Sequence, residues 1–331
     1  MTDVAKVMVR FRSRLSGLPQ DTGWYLGLGR SYFRKAKGAR ILVYHGICKK
    51  DHLQFNTLFL TLRAFESQLR LYKKYFNLVS LDDLYQHRLS HEKFNICLTF
   101  DDGFANNFRY VLPMLEQYQV PATFFITGIR DAGYDVLWND VLCIAYKYGP
   151  ATFKFRNDQF VKGRDLKYFS VSTGEHLADA LRLTGFEEKE EMINILGSLR
   201  NNVPDDYWLQ MSQEEIKKLS LSKWATIGSH SYYHNDLQKI PINSVKDDIR
   251  RSKEYLENIT GKEISALAFP YGSYTRQVAD EARNAGYSQV LTTEFLYPED
   301  AEDASLKERL IVNPFISNVN QLHASITGDY S

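Results

Sequence analysis

Asp101 and Asp102 stand side by side at the end of an apolar run, and His230 and His234 stand four residues apart far downstream. Two adjacent carboxylates facing one apolar site repel each other unless a cation neutralises them. Histidines four apart on a helical turn share a face, with Cβ atoms about 5–6 Å from each other, close enough for both imidazoles to hold one metal ion. One Asp and two His supply three protein ligands and leave a coordination position for water, as in catalytic rather than structural zinc sites. The second Asp is then spare for proton transfer, and the four residues suffice for metal-assisted hydrolysis. Each feature also has an ordinary alternative. An Asp pair is common in turns and helix caps, and an isolated pair of histidines can be a surface or helix-capping pair.

These residues need rigid elements to bring them together. Phe94, Ile96, Cys97, Leu98 and Phe100 read as a buried strand, and Gly103 as the turn that follows it. Ile41–His45 reads as an earlier strand that ends in a histidine and Gly46. Residues 62–75 carry an amphipathic helical stripe, Ser80 and Asp83 form a capping box, and residues 122–127 read as a further strand after Pro121. The pattern then breaks. Residues 131–210 read as an inserted, mainly helical subdomain, with helices near 140–148 and 187–199 and a charged tract between them (Lys154, Arg156, Lys162, Arg164, Lys167) that has no clear core stripe. Strands near 224–228, 264–269, 289–293 and 310–312 then alternate with helices near 212–219, 243–259 and 275–285. The alternation predicts an α/β fold with a largely parallel sheet or barrel, its active residues at the C-terminal ends of the strands.

Composition narrows the classes. The chain has 331 residues, an ordinary apolar and charged content and a net charge of +1, so its overall balance does not call for nucleic acid. Cys48, Cys97 and Cys143 are widely spaced, which argues against a disulfide framework and for a reducing compartment. No apolar run approaches the ~20 residues that span a bilayer, and the N-terminus lacks the apolar core of a signal peptide. A cytoplasmic protein is expected. Residues 1–40 form a separate basic segment: nine Lys and Arg stand against Asp3 and Asp21, a local charge of +7, with Val4, Val7, Met8, Phe11 and Leu15 at helical spacing. Such a segment can lie on an anionic membrane surface at the inner face, or it can be a solvated helix packed on the main domain.

Three blocks together resemble the polysaccharide deacetylases, the NodB-homology or carbohydrate esterase family 4 group. They are Thr99-Phe100-Asp101-Asp102-Gly103, Ser229-His230-Ser231-Tyr232-Tyr233-His234 and Ala268-Phe269-Pro270-Tyr271-Gly272, with Pro121–Phe125 and Ile227-Gly228 as supporting context. The resemblance covers roughly residues 41–130 and 210–315. It implies a distorted (β/α)7-like barrel of NodB type, residues 41–331, that removes acetyl groups from N-acetylated sugars. By the matching positions, Asp102, His230 and His234 would bind one divalent metal ion, Zn2+ first and Co2+ or Ni2+ as alternatives. Asp101 would be the general base, and Pro270 and Tyr271 would line the site, the Tyr271 N–H holding the oxyanion.

The chain departs from the family pattern twice. Ala268 occupies the place of an Arg that tethers the catalytic base in many members, which leaves the tether open, with Arg309 as one candidate. Leu322-His323 lacks the middle residue of the Leu-x-His motif that supplies the general acid. Val43-Tyr44-His45-Gly46 instead resembles the opening of a permuted subgroup that deacetylates exopolysaccharides, in which the acid comes from the first strand, so His45 takes that role. A satisfied core histidine is the alternative reading of His45. Trp138 and Asp140 could line a sugar subsite or simply pack, and His52, His87, His91 and His323 read as structural or exposed. The expected partner is an N-acetylated sugar or glycan, on a nucleotide or a lipid carrier, in surface-polysaccharide synthesis. Hydrolysis of a formamide or cyclic amide, or carbohydrate binding without catalysis, are the competing functions.

Overall fold

The computed structural model describes residues 30–330, so the amphipathic stripe read in residues 4–15 lies outside the described residues. In chain order the strands are β1 (Ala39–Tyr44), β2 (Ile47–Cys48), β3 (Leu60–Thr61), β4 (Asn77–Val79), β5 (Asn95–Phe100) and β6 (Ala122–Ile126). After them come β7 (Thr152–Phe155), β8 (Asp158–Lys162), β9 (Tyr168–Ser170), β10 (Ala225–Ser229), β11 (Ala266–Ala268), β12 (Gln289–Thr292), β13 (Leu306–Glu308) and β14 (Leu310–Ile311).

Nine of these strands form one parallel sheet in the order β13-β12-β11-β10-β6-β5-β1-β14, with β4 paired to the first half of β5. The two ends of that order are neighbours in the chain. β13 pairs with β12, β14 pairs with β1, and Arg309 alone separates them. The sheet is thus nearly closed into a distorted (β/α)7-type barrel whose seventh stave is split at Arg309.

Parallel strands covered on both faces should be apolar throughout rather than alternating, and β5 is buried at every position. One set of side chains (Leu42, Tyr44, Leu98, Phe100, Phe124) packs outward against the surrounding helices. The other set (Ile41, Cys97, Phe125, Ala266, Ala268, Leu291) fills the barrel, with Leu81 and Leu84 packed among them. Those two leucines belong to the short helix Leu81–Tyr85, which starts with the expected capping box: Ser80 Oγ accepts from the Asp83 N–H at 3.0 Å and Asp83 Oδ2 accepts from the Ser80 N–H at 3.3 Å. The C-terminal helix Asn318–Thr327, which the sequence pattern did not indicate, packs on β1 and on the helix Leu62–Tyr75.

The insertion packs round a second apolar cluster, in which Trp138, Leu142, Phe155, Phe160, Tyr168 and Met192 are buried together with Phe55, Phe59 and Phe104 from the barrel side. It is mainly helical, with helices Trp138–Tyr148, Leu177–Arg182 and Phe186–Leu196, but it also holds the antiparallel meander β7-β8-β9. The charged tract concealed these strands because only one face of each is apolar. Phe155 and Phe160 turn inward while Lys154, Gln159 and Val161 face out, a period of two rather than of 3.6. Among the described residues no helix is long and apolar enough to cross a membrane.

Candidate active site

The residues singled out by type and spacing meet at the C-terminal mouth of the barrel. Asp101 and Asp102 follow β5, His45 follows β1, His230 follows β10, and Pro270 and Tyr271 follow β11. Asp102, His230 and His234 are buried, and one ligand atom from each lies within 4.8 Å of the other two. Asp102 Oδ1 is 3.1 Å from His234 Nε2 and 3.4 Å from His230 Nε2.

The two histidines converge without a helix. Residues 230–234 form an irregular loop in which Ser231 and His234 take φ of +65° and +55°, and the ring centroids lie 5.2 Å apart. The helical-turn expectation fails because the N–H groups of Tyr232, Tyr233 and His234 are taken by side chains instead of by the carbonyls four residues back. Asp248 accepts from the Tyr232 N–H (2.7 Å) and the Tyr233 N–H (3.3 Å), and Ser231 Oγ accepts from the His234 N–H (2.9 Å). Asp102 and Tyr271 also have positive φ, +74° and +61°. Left-handed backbone at a non-glycine residue costs on the order of 1–3 kcal/mol and persists only where the surroundings over-determine it.

The donor set fits a divalent ion. His230 Nδ1–H donates to the Ala268 carbonyl at 2.8 Å, which leaves the Nε2 lone pair directed at the carboxylates, and His234 Nδ1 lies 3.3 Å from the Tyr271 hydroxyl. Anchoring the outer nitrogen in this way fixes the tautomer and aim of a ligating imidazole. Burial alone would raise the Asp102 carboxyl, but the two histidines, when protonated, hydrogen-bond it and hold it well below the usual carboxylate range. Burial also pulls down the imidazolium of His234, which stays below its ordinary pKa despite Asp102.

Asp101 has a different partner. Arg309, buried in the split stave, donates from Nη1 to Oδ1 at 2.7 Å and from Nη2 to Oδ2 at 2.8 Å. Burial disfavours the ionised carboxyl, and the guanidinium outweighs it, so the Asp101 pKa falls below its ordinary value. Thr99 Oγ1, itself hydrogen-bonded to the Leu42 carbonyl, lies 3.3 Å from Nη1 and fixes the fork further. The position left small by Ala268 is thus answered from β13–β14, on the far side of β12.

His45 lines the cleft, and among the described residues its buried Nδ1 finds no hydrogen-bond partner, unlike the carbonyl-bonded core histidine of the alternative reading. His323, on the C-terminal helix, is stacked on Tyr32 and takes no part in the cleft. His52, read from sequence as structural or exposed, lines the cleft. Trp138 and Asp140 are both buried and neither lines the cleft, whereas Asn139 between them does. Burial pushes the Cys48 thiol up to about 12 and raises that of Cys97 as well, which disfavours the reactive thiolate at both. The Pro270-Tyr271-Gly272 turn packs tightly on β12: a Cβ on Gly272 would sit 2.0 Å from Thr293 Oγ1 and 2.7 Å from its backbone N. The cleft has a volume of about 1170 Å³ and runs between the barrel mouth and the insertion, with Phe55, Tyr146 and Arg182 on its walls.

A family model described as polysaccharide deacetylase matches residues 89–154 and 190–290, just over half of the chain. The chain belongs to the polysaccharide deacetylase family. The gap between the two matched stretches, residues 155–189, falls inside the insertion. Among solved structures, the Streptococcus pyogenes deacetylase PplD in complex with acetate aligns with TM-score 0.57 and 17% identity, over 87% of this chain and 97% of that one. IcaB from Ammonifex degensii aligns with TM-score 0.54 and 18% identity, over 88% and 98%. The polysaccharide deacetylase BC0361 from Bacillus cereus aligns with TM-score 0.53 and 20% identity, over 87% and 68%. At these identities the likeness concerns the fold. The comparison with curated proteins gives no match.

Proposed function

We propose that the protein is a metal-dependent N-deacetylase that hydrolyses the acetamide of an amino sugar within a glycan or glycan precursor. The observation that carries this reading is the separation of roles between adjacent carboxylates: Asp102 faces two imidazoles while Asp101 is held ionised by Arg309. A divalent ion, Zn2+ first and Co2+ or Ni2+ as alternatives, is assigned to Asp102, His230 and His234. When bound there, such an ion polarises the acetyl carbonyl and acidifies a water molecule.

The chain's own groups do the rest. Asp101 takes the proton of the attacking water, and Arg309 keeps it in the ionised form that this requires. The Tyr271 N–H, presented by the strained turn that Pro270 opens, is assigned to the oxyanion. His45 gives a proton to the departing nitrogen, which is otherwise a poor leaving group. The C–N bond breaks, and acetate and a free amino sugar leave. Acetate accompanies the S. pyogenes relative in its structure.

A cleft of about 1170 Å³ with aromatic walls suits a saccharide with several rings better than a small cyclic amide. The basic segment of residues 1–40 is assigned to peripheral contact with an anionic membrane, where a lipid-linked glycan would be reached. The test is acetate release from N-acetylated amino-sugar oligomers by the purified protein. Activity that disappears with a chelator and returns with Zn2+ is expected; undiminished activity in metal-free protein would sink the mechanism.

A further inference from the structure

The two histidines of the candidate metal site are held by different parts of the molecule. His230 belongs to the barrel: its N–H bonds the Ile126 carbonyl at 2.9 Å and its ring bonds the Ala268 carbonyl. The residues around His234 share their N–H bonds with Asp248 and Ser231 of the barrel, but the insertion grips them as well, one after another. Phe186 stacks on Tyr233 with centroids 4.4 Å apart and planes at 17°. The Trp138 indole N–H is directed at the His234 carbonyl at 3.4 Å. The fully buried ammonium of Lys189 donates to Asn235 Oδ1 at 2.6 Å and to the Thr184 carbonyl at 3.1 Å, and it lies 5.2 Å from the Trp138 ring centroid. Arg182 Nε meets buried Asp236 Oδ2 at 2.8 Å, while its guanidinium covers the Tyr271 ring at 4.6 Å, the ring whose hydroxyl approaches His234 Nδ1.

Four consecutive residues, 233 to 236, are thus each gripped by a side chain of the insertion, and the four gripping residues come from three separate helices. The grip matters because His234 has φ +55°, a conformation that a free loop would relax. Burying the Lys189 ammonium is also costly unless it is fully hydrogen-bonded, and its best-placed partner is the residue next to His234.

We propose that Trp138, Arg182 and Lys189 are positioning residues for the metal site, and that docking of the insertion sets the aim of the His234 imidazole and with it the affinity for the ion. The inference rests on Asp102, His230 and His234 being the ligands. By linkage the effect is reciprocal: an ion bound at the barrel mouth steadies the insertion.

The test uses the full chain and Zn2+ alone, with affinity measured by chelator competition. Arg182→Met and Lys189→Met are expected to weaken Zn2+ binding by about 10–100-fold, the usual effect of removing a group that supports a ligand. Arg182→Lys should recover most of the loss at its position, because it keeps a cation on Asp236. With Co2+ in place of Zn2+, the visible absorption band should shift in the two methionine variants, which a merely stabilising role would not produce. Hydrogen exchange on the unmodified chain gives an arm that needs no variant. Added Zn2+ should slow exchange in the helices Trp138–Tyr148 and Phe186–Leu196. Folded variants with unaltered Zn2+ affinity and Co2+ spectrum, or exchange in these helices indifferent to Zn2+, would overturn the inference while leaving the ligand assignment intact. An unmodified chain that binds no Zn2+ would overturn the ligand assignment itself, and the inference with it.

Discussion

Arg309 holds Asp101 through two parallel N–H···O bonds across 208 residues of sequence, with both side chains buried. Paired forks of this kind are among the strongest polar contacts in proteins. Removing one partner of a buried pair leaves an uncompensated charge, which costs about 3–5 kcal/mol.

The pH profile should report this contact. The base must be ionised to accept a proton, so activity falls as pH drops through the Asp101 pKa, which Arg309 keeps below the ordinary carboxylate value. In Arg309→Met, burial remains and the compensating charge is gone, so that pKa rises. The acid limb of kcat/KM should move to higher pH, with activity partly recovered on the alkaline side. An acid limb left in place would assign it to another group.

The adjacent carboxylates should separate by measurement. Asp101→Asn is expected to retain the metal ion and lose about 10²–10⁴-fold in rate, whereas Asp102→Asn should lose metal affinity. Metal titration of the two variants beside turnover decides the matter, and the opposite pattern would exchange their roles.

His45 carries the next expectation. Its ring lines the cleft with a buried Nδ1 that has no partner among the described residues, and its proposed task is to protonate a leaving nitrogen. His45→Ala should slow amide hydrolysis far more than hydrolysis of an activated acetyl ester, whose leaving group hardly needs a proton. Equal losses on both substrates would mean that His45 binds or packs instead.

The local motifs were legible because each block is continuous and sits where a strand ends. Reading Asp101, Asp102, His45, His230, His234, Pro270 and Tyr271 as one site required only that the strands be parallel, and the apolar runs imply that. The shape of the His230–His234 link was misread, since a spacing of four suits a helix and nothing local reveals that Asp248 captures the loop's N–H groups. Arg309 stood only as one candidate, because its place depends on how the barrel closes, and the two strands that flank it have three and two residues. The meander of the insertion was hidden by its charges. The grip on residues 233–236 was invisible for a related reason: Trp138, Arg182 and Lys189 look like ordinary helix residues until the insertion is folded back on the barrel.

The basic segment offers a prediction independent of the site. Each Lys or Arg near an anionic surface contributes about 1 kcal/mol, and residues 1–40 carry a net +7. The full chain should bind anionic liposomes at low salt, and a chain lacking residues 1–38 should bind much less. Indistinguishable co-sedimentation of the two would remove the membrane assignment and favour a soluble precursor as substrate.

The split in the seventh stave has a consequence for the order in which the protein becomes competent. The carboxylate pair follows β5, but Arg309 leaves the ribosome 208 residues after Asp101. Until the segment of Arg309 docks between β12 and β1, Asp101 lacks its guanidinium partner, and burial favours the protonated form, which could not act as the proposed base. Under the proposed mechanism, completion of the barrel is also what arms the base. A nascent or C-terminally nicked chain would carry every residue of the three sequence blocks and still be silent.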